Sequence, residues 1–279
     1  DYVREHILLP LGMTRSAHQR DLVKADADVA VPYVVDKEGN HIASDYPWGQ
    51  AEADGGLVSN ALDMSRYLEM YLNEGAGPDG RRIVSPASIA AMSASEVRTP
   101  PESMTTGEPA AFYGFGLSNS RFFGHRLVGH TGMMYVATAA MRFLPDRKLG
   151  AVVLANGTGY SMANIADFAL ATALGEDPWA LPALRTEQIL DGLTGQYETY
   201  RGTFPATVRR KGDLLMLEFK NKHSEESVPL VPFDLNPERS RFHTVGGGYR
   251  QVVAFSHRDG GVELLYERYK FRRTGLLPC

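Results

Sequence analysis

The chain has almost no cysteine. Its single cysteine, Cys279, is the last residue, so a scaffold held together by disulfide bonds is excluded. Long hydrophobic runs are also missing, since the longest, Leu149–Ala155, has the length of a strand. There is no basic excess either, because 29 Lys and Arg stand against 33 Asp and Glu, and a net charge of −4 argues against a general nucleic-acid binder. Neither a membrane span nor a nucleic-acid partner is therefore expected.

What the sequence does contain changes in character near residue 185. The 279 residues, 43% of them hydrophobic, are enough for a sizeable core and predict one large or two moderate domains. Residues 1–185 hold 15 basic and 21 acidic side chains, whereas residues 186–279 hold 14 and 12. Helical patterns dominate the first part, and short alternating segments dominate the second. The predicted fold is α+β, followed by a small all-β barrel or sandwich.

Three helices are predicted in the first part. Residues 62–72 place leucine, methionine and tyrosine side chains on one broad apolar face, and Asn60 is a suitable N-terminal cap. Residues 85–92 predict a second helix, with Ser85 as its cap, and residues 162–174 predict a third.

Strands are predicted in both parts. Residues 135–143 and 149–154 are rich in β-forming side chains and are separated by a turn-forming segment, which predicts an antiparallel hairpin. After residues 176–186, whose prolines and charges predict a linker, short segments alternate between apolar and polar residues. The strands predicted there are 206–210, 214–219, 227–232, 241–245, 251–256 and 262–269.

An ordered set of motifs points to a family. PLGM at 10–13 comes first, DGGLVSNALDMSRYL at 54–68 follows, and YGFGL at 113–117 precedes GHTG at 129–132 and FLPDRKLGAVVLAN at 143–156. In this order they resemble the serine β-lactamase-related family, whose penicillin-binding-protein-like members include class C β-lactamases, D-Ala-D-Ala carboxypeptidases and esterases.

The resemblance implies a domain organisation. Residues 1–175 resemble the C-terminal portion of a β-lactamase/transpeptidase-like domain, which is an antiparallel sheet with flanking helices. Residues 176–186 are the expected linker, and residues 187–279 resemble the small lipocalin-like β-barrel that follows the catalytic domain in many of these hydrolases. In relatives that self-compartmentalise, such a barrel packs over the cleft or onto a neighbouring subunit, so a homo-oligomer formed through this domain is expected.

The resemblance also implies roles for residues 130–133. The third family motif, Lys-Thr-Gly or His-Thr-Gly on a strand that lines the active site, is here His130-Thr131-Gly132. The backbone N–H of Met133 would be one of two donors to the oxyanion, and Gly132 would let the substrate carbonyl approach closely. A histidine is mostly neutral at pH 7, whereas a lysine would be a fixed cation, which favours an ester or an uncharged-end peptide over a β-lactam.

The family's nucleophile has no match in the chain. It is the serine of Ser-x-x-Lys, and no serine here is followed by lysine three residues later. The second motif, Tyr-x-Asn, normally precedes PLGM, and we interpret Tyr71-Leu72-Asn73, which follows it, as a chance match. Both motifs are therefore expected on an N-terminal portion of the same domain, upstream of Asp1, and this chain alone is expected to be inactive.

Further residues are candidates for the substrate cleft. Trp48, Gly55 and Gly56 are candidates for lining it, although a double glycine before a helix is also ordinary turn chemistry. Tyr135 lies near a position where the family often has glycine, so the cleft wall beside Met133 is expected to be bulky. No cofactor and no metal is expected, because no histidine spacing resembles a metal site.

Together these features predict a serine hydrolase that forms an acyl-enzyme with small esters, amides or D-amino-acid peptides. The alternative is a catalytically incomplete binding or interaction protein on the same scaffold. The two differ in what precedes Asp1. A chain that natively started there is expected to expose apolar residues such as Leu8, Leu9 and Leu11, whereas a hydrolase carries Ser-x-x-Lys and Tyr-x-Asn upstream.

Overall fold

The fold consists of two compact units. The structure is a computed structural model and describes residues 2–46, 52–94, 96–99, 111–220, 222, 224–245, 250–258 and 260–277. Among these residues the first unit ends at Pro178 and the second begins at Trp179. Each unit has its own hydrophobic core. In the part of the chain that is described, no helix has both the length and the apolar character needed to cross a membrane.

The elements of the two units follow in chain order. A π-helical turn, Arg4–Leu8, precedes the helices α1 (Arg20–Ala25), α2 (Glu52–Gly55), α3 (Ala61–Leu72), α4 (Pro86–Met92), α5 (Met162–Leu174) and α6 (Pro182–Gly192). The strands of the first unit are β1 (Tyr33–Val35), β2 (His41–Ala43), β3 (Val97–Thr99), β4 (Ala111–Tyr113), β5 (Ser118–Phe122), β6 (His125–Met134), β7 (Ala137–Leu144) and β8 (Leu149–Ala155). Those of the second are β9 (Gly195–Thr199), β10 (Pro205–Lys211), β11 (Leu214–Lys220), β12 (Glu225–Asp234), β13 (Arg239–Thr244), β14 (Val252–Arg258), β15 (Gly261–Tyr266) and β16 (Tyr269–Gly275).

The three predicted helices are confirmed as α3, α4 and α5, with starts within one residue of the prediction. Their caps have the expected chemistry. The Asn60 side chain accepts a hydrogen bond from the Asp63 N–H at 3.0 Å, and the Ser85 hydroxyl accepts one from the Ser88 N–H at 3.0 Å. Each cap satisfies a backbone donor that has no partner inside the helix, which fixes where the helix begins.

The first residues of the chain pack into the core of the first unit. Leu8, Leu11 and Met13 are buried in one cluster with residues of α3, β6 and β7. The exposure expected for a chain that natively starts at Asp1 is not found at Leu8 and Leu11, because both pack against residues of α3. Leu9 alone of the three is exposed.

A buried carboxylate connects the segment after PLGM to α3. Asp63 accepts hydrogen bonds from the Arg15 N–H and the Ser16 hydroxyl, both at 2.8 Å, and forms an ion pair with Arg66 at 2.8 Å. Because a buried carboxylate needs several donors, these contacts hold the two segments together. The motifs PLGM and DGGLVSNALDMSRYL are thus parts of one packing unit.

The first unit is built on an antiparallel sheet of six strands in the order β3-β4-β5-β6-β7-β8. The predicted hairpin is confirmed as β7 and β8, in which Phe143 pairs with Gly150 and Ala139 with Leu154. Helices cover both faces of this sheet. Alternate residues of β7 point to opposite faces, and their contacts show which helix lies on each. Met141 and Phe143 join the cluster that contains α3, whereas Ala140 packs with Ala163 and Ala166 of α5.

The second unit is a closed antiparallel barrel of eight strands in the order β10-β11-β12-β13-β14-β15-β16-β9. The predicted fold class, α+β with a small all-β barrel, is therefore confirmed. The inward-facing side chains fill the barrel, and the largest of them, including Tyr197, Phe242 and Phe255, are fully buried. Leu190 and Leu193 belong to the same cluster, so α6 packs against the barrel although it begins within the predicted linker.

The last predicted strand, 262–269, is two strands. β15 ends at Tyr266 and β16 starts at Tyr269, and these two residues pair across a hairpin. Glu267 in its turn has a φ of 53°. No glycine or asparagine marks this reversal in the sequence, so the alternating pattern continues through it and conceals the turn.

Candidate active site

The candidate active site lies on the second half of β6. β5 begins at Ser118, which pairs with Gly129, so within the described residues β6 beyond Gly129 pairs with β7 alone. Four of the five residues of this half, His130, Thr131, Gly132 and Met133, are exposed, and Met133 is exposed to 74%. The sequence-predicted third motif therefore occupies a strand segment that has one edge without a partner strand among the described residues.

Two glycines of β6 have different surroundings. A Cβ atom at Gly129 would lie 2.1 Å from the Met141 carbonyl oxygen, so the close approach of β7 requires glycine there. At Gly132 a Cβ atom would have only the Ala139 Cβ near it, at 3.8 Å, which is ordinary contact. Packing among the described residues therefore explains Gly129 but not Gly132.

His130 is held by a residue that the sequence analysis did not select. The Tyr113 hydroxyl lies 2.9 Å from His130 Nε2, and the two rings meet edge to face with centroids 5.9 Å apart. The hydroxyl can donate to an unprotonated Nε2 or accept from an Nε2–H. Tyr113 lies within the YGFGL motif, but only the placement of β4 two strands from β6 shows that it reaches His130.

Tyr135 is placed at the turn that ends β6. Met134 pairs with Ala137, so Tyr135 and Val136 form a two-residue hairpin loop. Tyr135 has a φ of 43° and its side chain is 82% exposed, whereas Val136 is buried. The ring thus projects from the turn two residues after Met133, and its role as a bulky wall of a substrate cleft stays a prediction.

Gly55 also comes close to β6. A Cβ atom at Gly55, the last residue of α2, would lie 2.9 Å from the Met134 sulfur, so the glycine permits this approach. Gly56 follows it and is half-buried. The third cleft candidate, Trp48, lies outside the described residues. The structure thus brings Gly55 near the third motif through its neighbour Met134.

Tyr71 lies in the hydrophobic core of the first unit. It is buried against Phe143, with ring centroids 5.4 Å apart, and its hydroxyl lies 2.9 Å from that of Tyr67. Burial raises the pKa of Tyr71 above its usual range. A phenol in this environment stays protonated and inaccessible, which agrees with the interpretation of Tyr71-Leu72-Asn73 as a chance match.

Metal-binding chemistry finds no support in the described ranges. No group of three or more His, Cys, Asp or Glu side chains there is placed to hold a metal ion. The site consists of a strand edge, of Gly132, whose lack of a side chain the packing of the described residues does not require, and of the hydrogen-bonded pair His130 and Tyr113.

An antiparallel sheet flanked by helices, with a His-Thr-Gly strand exposed at its end, defines a domain of the penicillin-binding-protein and β-lactamase type. Residues 1–175 match the family described as Beta-lactamase, and the chain belongs to this family. Its relatives are serine hydrolases. Residues 178–272 match the domain described as the Pab87 octamerisation domain.

Comparison with solved structures gives one strong match. The octameric penicillin-binding protein homologue from Pyrococcus abyssi is 35% identical with a TM-score of 0.85, and the match covers 98% of this chain and 59% of that one. This chain therefore spans about three fifths of the length of that relative.

Two further solved structures match less well. A class C β-lactamase is 15% identical with a TM-score of 0.45, covering 62% of this chain and 50% of its own. D-amino acid amidase from Ochrobactrum anthropi SV3, in complex with L-phenylalanine amide, is 22% identical with a TM-score of 0.39, covering 55% and 42%. No match was found among curated protein sequences.

Proposed function

We propose that this chain is the C-terminal portion of a serine hydrolase that acts by acyl transfer on small esters, amides or D-amino-acid peptides. The observation that carries the proposal is the open edge of β6, where His130-Thr131-Gly132-Met133 is exposed and Gly132 has no packing role among the described residues. The nucleophilic serine, its lysine and the second-motif tyrosine are assigned to a segment outside these 279 residues.

The chemistry follows the usual course of acyl transfer. The serine oxygen attacks the substrate carbonyl carbon, its proton passes to the lysine, and negative charge develops on the carbonyl oxygen. The Met133 N–H is proposed to donate to this oxyanion, a contribution of about 3–4 kcal/mol to the stability of the transition state. Collapse of the intermediate expels the alcohol or amine, and water then releases the acyl group from the serine.

His130 and Tyr113 are proposed to set the substrate class. An imidazole beside the strand is not the fixed cation that a lysine would be, so it suits an ester or an uncharged peptide end, whereas a lysine would attract a carboxylate. His130→Lys is therefore expected to raise the turnover of carboxylate-bearing substrates relative to neutral esters. Turnover of a β-lactam by the unaltered protein at the same rate as an ester would contradict this assignment.

The barrel unit is proposed to form a homo-oligomer. The support is its match to an octamerisation domain and the octameric state named for the Pyrococcus abyssi homologue. No number of subunits is assigned to this protein.

The test is covalent labelling of the protein encoded by the complete open reading frame. We expect a fluorophosphonate to modify one serine upstream of Asp1, and we expect turnover of p-nitrophenyl esters. Met133→Pro removes the N–H and is expected to slow acylation by about 100- to 1000-fold, whereas Met133→Leu retains the N–H and the rate. Unmodified serines and no ester turnover would instead favour the catalytically incomplete binding protein.

A further inference from the structure

Tyr135 occupies a backbone position that normally selects glycine. The first residue of a two-residue hairpin loop with positive φ favours glycine, because a Cβ atom crowds the backbone in that conformation. Here the position holds a tyrosine with a φ of 43°, and Val136 follows it. A non-glycine residue in such a conformation costs of order 1–3 kcal/mol and occurs often at active sites.

The other hairpin of β6 provides a comparison. Phe123 and Gly124 connect β5 to β6 at the opposite end of the strand, and Phe123 has a φ of 47°. Its ring meets Phe122 edge to face with centroids 5.1 Å apart, and its turn continues with a glycine. Packing of the ring therefore compensates for the strained backbone at Phe123.

Packing of the side chain compensates much less for the backbone strain at Tyr135 than at Phe123. Its side chain is 82% exposed, so the ring buries little surface, and the residue that anchors the turn is Val136, which is 3% exposed. The fold would be served as well or better by glycine at this position. An aromatic side chain that is kept in a strained turn without burial points to contact with something other than the chain itself.

The place of the ring indicates what it contacts. Met133, the proposed oxyanion donor, is the second-last residue of β6, lies two residues before Tyr135 and is itself 74% exposed. Two exposed apolar side chains, an aromatic ring and a flexible thioether, thus lie within three residues of chain at the end of β6, close in sequence to the proposed oxyanion donor.

We propose that Tyr135 is a specificity-determining residue whose ring packs against an aromatic or large apolar group adjacent to the scissile carbonyl. This inference rests on the proposed hydrolase function. A planar group stacked on the ring gains binding energy in both the ground state and the transition state, so the effect is expected mainly in KM.

Three esters test the proposal with the protein encoded by the complete reading frame. Ethyl acetate has no aromatic group, ethyl phenylacetate has one on the acyl side, and phenyl acetate has one on the leaving-group side. Tyr135→Gly is expected to lower kcat/KM for at least one aromatic ester by about tenfold relative to ethyl acetate, mostly through KM. Tyr135→Phe keeps the ring and is expected to preserve the ratio.

Phe123→Gly is the matched control, because it makes the same aromatic-to-glycine change in the other hairpin of β6. It is expected to lower the melting temperature and to leave the ester ratios unchanged. Tyr135→Gly is expected to keep or raise the melting temperature, which separates lost specificity from lost folding.

Unchanged ester ratios in Tyr135→Gly, with normal turnover by the unaltered protein, would overturn the role of Tyr135 and leave the hydrolase proposal standing. The absence of both serine labelling and turnover in the unaltered protein would overturn the two together.

Discussion

At the scale of single residues, the contact between Tyr113 and His130 joins the motifs YGFGL and GHTG, and the two residues are 17 positions apart in the sequence. The hydroxyl and the imidazole are at hydrogen-bond distance, 2.9 Å, and both are partly exposed to the face that a substrate would approach. A hydrogen bond of this kind orients the imidazole ring, whichever of the two groups donates. We therefore propose that Tyr113 is a positioning residue that acts through His130.

Removing the Tyr113 hydroxyl tests this role. Tyr113→Phe is expected to lower kcat/KM for a neutral ester by about fivefold, corresponding to a net hydrogen-bond energy of about 1 kcal/mol. In a His130→Ala background the same change is expected to have no effect, because the partner is gone. Tyr33→Phe, at a tyrosine of equal exposure, is the control. Additive effects of the two changes would contradict the coupling.

Gly129 and Gly132 of β6 are expected to have different roles, the first in packing and the second in the proposed binding of substrate, and substitution can distinguish them. Gly129→Ala is expected to destabilise the first unit by about 1–3 kcal/mol or more, because the added Cβ meets the Met141 carbonyl oxygen at 2.1 Å. Gly132→Ala is expected to leave the melting temperature nearly unchanged and to lower ester turnover at least tenfold by obstructing the proposed approach of substrate. Thermal unfolding and turnover of both variants check this, and full activity of Gly132→Ala would contradict it.

At the scale of elements, the two halves of β6 differ. The first half is part of the core of the first unit, and the second half carries the proposed site. Its first half pairs with β5 and β7 and contains the buried Leu127 and Val128, whereas its second half pairs with β7 alone among the described residues. The late start of β5 at Ser118 thus leaves this half of β6 without a second partner strand in the described ranges, and we propose that substrate binds along this edge. Because the strand continues without interruption, the rigid half positions the exposed one.

The barrel wall contains a carboxylate that links its stability to pH. Glu263 of β15 is buried and pairs with Lys270 of β16 at 2.8 Å and with Arg272 at 3.4 Å. The hydrogen bond from Lys270, together with its charge, holds the pKa of Glu263 below the ordinary value of 4.5. A carboxylate with a lowered pKa stabilises the folded state above its unfolded pKa, and this contribution is lost as the pH falls through the folded one.

Glu263→Gln is therefore expected to reduce the pH dependence of unfolding. Between about pH 5 and pH 3 the unaltered barrel should lose more stability than the variant, because only the unaltered protein protonates this carboxylate on unfolding. Denaturant unfolding at a series of pH values measures the difference. Glu226→Gln, at an exposed position of β12, is the control, and identical pH profiles for all three proteins would refute the assignment.

At the scale of the whole molecule, the two units have separate cores and, by proposal, separate tasks. The core of the second unit includes Leu190 and Leu193 at and beyond the end of α6 as well as the barrel strands. A division at Trp179 therefore keeps α6 with the barrel, whereas a cut at residue 187 would divide this helix.

Removal of residues 179–279 tests the proposed assembly role of the barrel unit. The truncated protein is expected to be monomeric and the complete protein oligomeric when their masses are measured by light scattering. Residues 179–279 alone are expected to associate as the complete protein does. An unchanged oligomer after the removal would show that the first unit carries the interface.

Much of the fold was predictable, because its signals are local. The caps Asn60 and Ser85 and the apolar periodicity placed α3, α4 and α5, and the turn-forming segment after β7 placed the hairpin. The turn at Glu267 escaped prediction, since it uses no residue that favours positive φ. The burial of Leu8 and Leu11 depends on contacts with distant residues, so no local signal reveals it.

The sequence by itself determined the family, the third motif at His130-Thr131-Gly132 and the division into an α+β part and an all-β part, because residue order and periodicity encode these features directly. Only the tertiary structure decided that Tyr113 reaches His130, that β6 beyond Gly129 pairs with β7 alone in the part of the chain that is described, and that Tyr135 stands exposed in a strained turn. These features arise from strand order, strand length and backbone conformation, which are set by packing between segments that are remote in the chain.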